Sequence, residues 1–335
     1  MNTIKVAVIG TGFGQDVISV FQKLKGAEVV AIAARDEEKT KAVAEKFSVP
    51  RYYTDWKNML DEVDIDLISI QSPNFLHKEM FEYALAKNIH ILLDKPAGTT
   101  VKEIDEMIEK SKGYEKHIVI NHLARFHPYI EFMRDELEKE KLGTVTAIRL
   151  AGYLPWLSTG DVDFTWALYE EHGGGIERLY VSHLIDLARF VAGMPDVKSK
   201  HIISQVIKDS KFDEQPTGAT QFSGQFEFEN EISVQLFANY YTQGHKDLEI
   251  QIFGTEGIIF YDSINELRVA RRAGTPLVKH DIPDPLPDIQ VGRSLLSKSM
   301  KYLANAYIDL INGDESKIND FCTLEAARDN LGMIL

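Results

Sequence analysis

Three glycines, Gly10, Gly12 and Gly14, stand in the stretch AVIGTGFGQ directly after an apolar run. Glycines so spaced let a backbone turn tightly and lie close to a pyrophosphate, while the following helix start offers amide N–H groups and a positive dipole end. Gly10, Gly12, Phe13 and Gly14 are therefore the candidate phosphate cradle. A third fingerprint glycine is expected at position 15, where this chain has Gln15. The next apolar run ends in Ala33-Ala34-Arg35-Asp36. A carboxylate at that tip would bind ribose hydroxyls, whereas Arg35 suits a 2′-phosphate. NADP(H) is therefore favoured and NAD(H) remains open. Two readings stand for this tip: Arg35 grips phosphate, or it is a solvated loop residue beside an Asp36 helix cap.

Further along, GGGIERLYVSHLID (173–186) leads a glycine run into a helix. With a 3.6-residue period, Ile176, Leu179, Tyr180, His183, Leu187 and Phe190 share one face, leaving Arg178, Ser182, Asp186 and Arg189 as a narrow polar side. A histidine on an apolar face is either a satisfied core residue or a proton-transfer group. Residues 153–172 gather Tyr153, Trp156, Asp161, Asp163, Trp166, Tyr169 and His172. Aromatic faces there suit the C–H face of a sugar ring and the carboxylates suit hydroxyl pairs; a loop packing on its own aromatics is the equal alternative.

The elements that must position these residues follow from periodicity. Strands are expected at 4–10, 28–34, 66–73, 89–96 and 117–122, with helices at 14–25, 36–47, 78–88 and 101–112. Repeated βα units imply a doubly wound parallel sheet of Rossmann type over residues 1–122. Beyond it, a helix at 128–140 precedes a strand at 144–153. The stretch 220–241 reads as a hairpin about Asn230–Glu231, and 247–262 as a second pair turning at Gly254 and Gly257. Residues 123–335 are thus an α+β domain with an open, mainly antiparallel sheet, closed by helices at 295–313 and from about 323.

The 335 residues carry a net charge of −14 and a single cysteine, Cys322. No internal disulfide is possible, which fits a reducing cytoplasm. With no basic cluster, duplex nucleic acid is not an expected partner. No apolar stretch approaches the roughly 20 residues of a membrane span, and no metal-ligand pattern stands out.

Five motifs in order resemble the Gfo/Idh/MocA oxidoreductases: AVIGTGFGQ, SPNFLHKEMFEYALAKNIHILLDKP (72–96), RFHP (125–128), the 173–193 glycine–helix segment and IFGTEG (252–257). The resemblance spans nearly the whole chain. It implies NAD(P)-dependent hydride transfer on a sugar, polyol or sugar acid, in a homodimer or homotetramer formed through the second sheet. It places Ser72, Pro73, Asn74, His77, Asp94, Lys95 and Asn121 along the cofactor, with a cap on the following helix as the alternative for His77. Asp94-Lys95-Pro96 matches the family's Glu-Lys-Pro with a shorter acid, which makes Lys95 the catalytic lysine, stabilising oxygen while hydride moves, next to a cis peptide. Arg125 is expected to reach the substrate or Asp94, beside Tyr153, Trp156, Trp166 and His183. His183 corresponds to the family's acid/base histidine, but the aspartate four residues earlier is Leu179 here. Tyr180 is the candidate for the missing relay, with core packing as the competing reading; Glu177 is the weaker substitute. Two other chemistries stay open: a lyase or glycosidase working by transient oxidation, and a dinucleotide-sensing binding protein without catalysis.

Overall fold

The computed structural model describes residues 3–158, 164–242, 248–262, 266–272, 274–292 and 294–335. The chain divides into two units, 1–123 with 286–329 and 124–285 with 330–335. The first begins with β1 (Ile4–Ile9), α1 (Gly14–Phe21), β2 (Ala27–Ala33), α2 (Glu37–Lys46), β3 (Tyr52–Tyr53), α3 (Trp56–Glu62), β4 (Leu67–Ile70), α4 (His77–Ala86), β5 (His90–Leu93), α5 (Val101–Ser111) and β6 (Ile118–Ile120). All neighbouring strands pair in parallel, in the order β3-β2-β1-β4-β5-β6. The direction of winding reverses between β1 and β4, which opens a crevice beyond their carboxyl ends. The strands are apolar runs because both faces are covered: Val6, Val8, Ile32, Leu67, Ile68, Ile70 and Ile91 are fully buried. Sequence periodicity did not announce β3 or α3. Helix starts carry their caps, with Asp36 accepting from the Lys39 amide at 3.0 Å and Thr100 from the Glu103 amide at 3.2 Å.

The second unit contains α6 (Pro128–Glu138), β7 (Val145–Tyr153), α7 (Ser182–Val191), β8 (Val197–Gln205), β9 (Gln221–Phe228), β10 (Ser233–Asn239), β11 (Leu248–Gly254), β12 (Ile258–Asp262), β13 (Glu266–Ala270) and β14 (Val278–Lys279). Their sheet runs β14-β13-β12-β11-β7-β10-β9-β8 and is antiparallel except where β7 meets β10. Both expected hairpins, β9–β10 and β11–β12, form. Asp161 and Asp163 lie outside the described residues.

The narrow polar side of α7 is itself buried at Ser182, Asp186 and Arg189. Asp186 takes the Arg125 guanidinium through two bonds, Nε at 2.9 Å and Nη2 at 2.5 Å, and accepts from Asn330 Nδ2 at 2.7 Å. Asn330 Oδ1 in turn accepts from Arg189 Nη1 at 2.7 Å. Two cations and one carboxylate can be buried this way because every member finds a partner.

The last two helices are α8 (Leu295–Ile311) and α9 (Leu324–Ile334). Residues 286–329 count with the first unit, whereas the sequence reading assigns everything past 122 to the second. The physical reason is α8. It packs on α1, and its fully buried Tyr307 places Oη 2.9 Å from the Ile91 carbonyl and 2.8 Å from that of His117. No helix among the described residues is long and apolar enough to cross a membrane. Asp186→Ala, which strands the Arg125 charge in the interior, is expected to cost about 3–5 kcal/mol of stability; urea unfolding of the purified variant measures it.

Candidate active site

The cradle begins where β1 ends. Gly10 has φ +111°, and a Cβ there would sit 2.2 Å from the Gln71 carbonyl oxygen, so only glycine fits. Around a Cβ at Gly12 there is open space to 4 Å, as a group approaching the backbone requires. A Cβ on Gly14 would lie 3.1 Å from Val8 Cγ1. The close helix–strand packing expected of a third glycine at 15 is therefore supplied by Gly14. Gln15 turns back instead, donating to the Thr11 carbonyl at 2.8 Å. At the tip of β2, Arg35 is exposed and Asp36 is engaged as the α2 cap.

Three segments bring polar groups to the same edge. Ile70, Leu93 and Ile120 are register partners across β4, β5 and β6, so Gln71, Asp94 and Asn121 follow at one level. Asn121 Nδ2 donates to Asp94 Oδ1 at 3.2 Å. Gln71 Nε2 donates to Ser69 Oγ at 2.9 Å. Three polar atoms here, Gln71 Oε1, Ser72 Oγ and Asn121 Oδ1, are buried with no hydrogen-bond partner among the described residues. Gln71 was not anticipated from sequence; only its register with Asp94 and Asn121 reveals it.

Lys95 follows Asp94, and its peptide to Pro96 is cis, as the resemblance implied. Burial draws the Lys95 ammonium from its ordinary 10.5 down to about 8, opposed by the Asp94 carboxylate. Asn74 is buried at the start of a 3₁₀ turn that leads from Pro73 into α4. His77 is fully buried, and both of its ring nitrogens meet backbone carbonyls: Nδ1 at 2.9 Å from Pro96 O, Nε2 at 2.9 Å from Ser72 O. Both nitrogens are thus engaged within the protein. Nor does the ring cap α4, whose N-cap is Leu76 without a side-chain bond.

In the second unit, the glycine run passes beneath residues 166–169. The Gly175 amide donates to the Ala167 carbonyl at 3.0 Å, and a Cβ on Gly174 would lie 2.6 Å from that same oxygen. The chain then makes a π-helical turn, Glu177–Val181, before α7. Each residue of a π turn rotates less than in an α-helix. Leu179 lies within this turn, four residues before His183. His183 is buried and packs edge-on to Tyr180, ring centroids 6.4 Å apart at 72°. Tyr180 lies on Gly152 of β7, where a Cβ would come within 1.9 Å of its ring. Glu177 accepts from the Ser204 hydroxyl through Oε1, while its buried Oε2 has no partner among the described residues.

Arg125 is committed to Asp186 in the interior, a pairing that neither expected use of it foresaw. Among the aromatics of 153–172, Tyr153 and Trp156 each have a packing contact on one side and, like Trp166, remain half-exposed. Trp156 stands edge-on to Tyr240 at 5.2 Å, and Tyr153 is tilted against Phe237 at 6.2 Å. Tyr169 donates to Glu214, which pushes the phenol up to about 12.

These features coincide with what comparison shows. Residues 4–122 match the description "Oxidoreductase family, NAD-binding Rossmann fold", and residues 130–260 match the Gfo/Idh/MocA C-terminal domain. The protein belongs to the Gfo/Idh/MocA oxidoreductase family and is an oxidoreductase with an NAD-binding Rossmann domain. An uncharacterised oxidoreductase of Synechocystis is 24% identical over 86% of this chain and 79% of its own. Levoglucosan dehydrogenase of Pseudarthrobacter phenanthrenivorans is 26% identical over 71% of this chain and 66% of its own. A solved levoglucosan dehydrogenase in complex with NADH and L-sorbose shares the fold, with TM-score 0.84 at 20% identity over 100% of this chain and 95% of that one.

The residues present fit a dinucleotide. Gly12 leaves the backbone open to a pyrophosphate, and the buried acceptors Gln71 Oε1 and Asn121 Oδ1 want donors of the kind ribose hydroxyls and a carboxamide offer. Gly12→Val is expected to leave stability within about 0.5 kcal/mol while weakening dinucleotide binding. Gly10→Ala is expected to lower Tm outright. Thermal melts beside fluorescence titration with NADH and NADPH separate the two effects.

Proposed function

We propose that the protein is a cytoplasmic NAD(P)-dependent dehydrogenase or reductase acting on a sugar, polyol or sugar acid. The observation that carries this reading is Lys95. It is a lysine brought within about one unit of neutrality, at the carboxyl edge of the nucleotide-binding sheet, beside polar atoms that lack partners. The names of sugar-oxidising relatives support the substrate class.

When bound, the nicotinamide supplies the hydride acceptor or donor. Lys95 holds the substrate oxygen with its ammonium, stabilising the charge that develops on it. Asn121 keeps Asp94 turned toward that turn of chain, and Asp94 favours the charged lysine. His183 moves the proton of the substrate hydroxyl, with Tyr180 packed against its ring. Trp156, Trp166 and Tyr153 are the proposed sugar-facing wall. Arg35 selects NADP(H) over NAD(H) by pairing with the 2′-phosphate. Self-assembly into a homodimer or homotetramer uses the sheet face on which Arg149, Gln225 and Gln235 are exposed.

Lys95→Met is expected to lower kcat/KM by about 10²–10³-fold or more with cofactor binding kept; retained turnover removes the lysine from the mechanism. In the direction of carbonyl reduction, kcat/KM should fall as pH rises through about 8, because the ammonium is lost there. Arg35→Ala should weaken NADP(H) binding relative to NAD(H) binding by about 10–10²-fold, one charge-assisted hydrogen bond's worth, and tighter NAD(H) than NADP(H) binding by the unaltered protein would overturn that choice. Leu179 in the aspartate position keeps the transient-oxidation reading in view. Cleavage of glycosides with no net change in nicotinamide absorbance would put it in place of the dehydrogenase.

A further inference from the structure

His77 has a geometry that neither cofactor contact nor helix capping accounts for. It opens α4, its side chain has no exposed surface, and its two nitrogens lie 2.9 Å from two carbonyl oxygens. Those carbonyls belong to the loop after β4, at Ser72, and to the turn after β5, at Pro96. The imidazole therefore bridges the two loops that carry Ser72 and Lys95, bonding one carbonyl at a time as the neutral ring and both as the imidazolium. We propose that His77 is a positioning residue for Lys95, its ring clamping the Lys95–Pro96 turn to the Ser72 loop so that the ammonium is held at the sheet edge beside Asp94. This deepens the function proposed above and rests on it for the catalytic consequence.

The chemistry of the ring supports a clamp over a simple filler. An apolar side chain of similar volume would leave both carbonyls buried and unmet, an arrangement proteins avoid. A neutral imidazole has one N–H and can donate to one carbonyl at a time; an imidazolium donates to both. Burial favours the neutral ring, and Lys95 opposes a second positive charge; Asp94 and the two carbonyls act the other way. Asp94, Lys95 and His77 therefore form one coupled set, in which loosening the ring alters the surroundings of the lysine. Ser72 Oγ lies in the same clamped loop, so the clamp also fixes one of the buried atoms without a partner.

The test uses two readouts. In the protein free of cofactor, the pH dependence of Lys95 acylation by acetic anhydride, followed by peptide mass spectrometry, reports the lysine's own titration. His77→Leu is expected to move that titration up toward the ordinary lysine value as the turn relaxes into solvent, and His77→Gln, which retains an N–H donor of similar reach, to restore part of the shift. In turnover, His77→Leu is expected to lose about 10²-fold in kcat, the scale of a misplaced reacting group, with KM for cofactor little changed. A Lys95 titration identical in a folded His77→Leu protein overturns the proposal. So does loss confined to cofactor affinity, which would mean direct contact. If the variants do not fold, ¹⁵N shifts of the unaltered protein decide: a ring titrating like free imidazole overturns the clamp, and a ring held in one hydrogen-bonded form from pH 5 to 9 supports it. Because acylation needs no substrate, failure of the dehydrogenase assignment leaves this test intact.

Discussion

The ladder of parallel strands that stops β4, β5 and β6 at one level is the constraint on which the candidate site depends. One step past each strand, an amide still bonds to its neighbour: Gln71 N to Ile9 O at 2.8 Å, Asp94 N to Ile70 O at 2.9 Å, Asn121 N to Leu93 O at 2.8 Å. Residues far apart in sequence are thus fixed to one another first through backbone, before any side-chain contact is made. Their side chains can then be chosen for chemistry instead of for holding the fold. That freedom is visible in the buried oxygens without partners at this edge. Each costs the protein about 1–3 kcal/mol if left unmet, a penalty that a ligand bearing donors removes.

The same edge sets the charge state of Lys95. Burial disfavours the ammonium and Asp94 favours it, and burial wins, bringing the pKa to about 8. The shorter acid in Asp94-Lys95-Pro96 has not cost the carboxylate its anchor, since Asn121 still holds one oxygen. The lysine remains mostly charged near neutral pH yet close enough to its pKa to exchange a proton readily, the balance that acid–base work favours.

How far this was legible in sequence depends on where each residue's partners lie. The glycine turn was legible because its strand, turn and helix are contiguous, although spacing alone pointed to position 15 where packing uses Gly14. The role of His77 was not legible: its partners are carbonyls of Ser72 and Pro96, and any residue type offers a carbonyl. The polar side of α7 was visible as a pattern, but its pairing was not, because the partners Arg125 and Asn330 lie 61 and 144 positions from Asp186. The two-residue β3 and seven-residue α3 are too short for periodicity to register. The helix α8 shows an ordinary amphipathic pattern, and nothing in that pattern says which unit it packs against.

Leu179 poses the remaining physical question, and the surrounding geometry bears on it. Position 179 lies inside the π turn that leads into the helix of His183. Tyr180 is the nearby phenol, but its ring is seated on Gly152 so closely that a Cβ there would be excluded. A ring so held fixes the position of its oxygen, while the hydroxyl still turns to donate or accept. It also keeps the imidazole edge-on and limits its rotamers, which lowers the entropy of presenting one nitrogen to a substrate. Glu177 is turned the other way, toward Ser204 of β8. Packing of Tyr180 on Gly152 and edge-on to the His183 ring therefore orients the imidazole from one side, a constraint that does not depend on an acid at position 179.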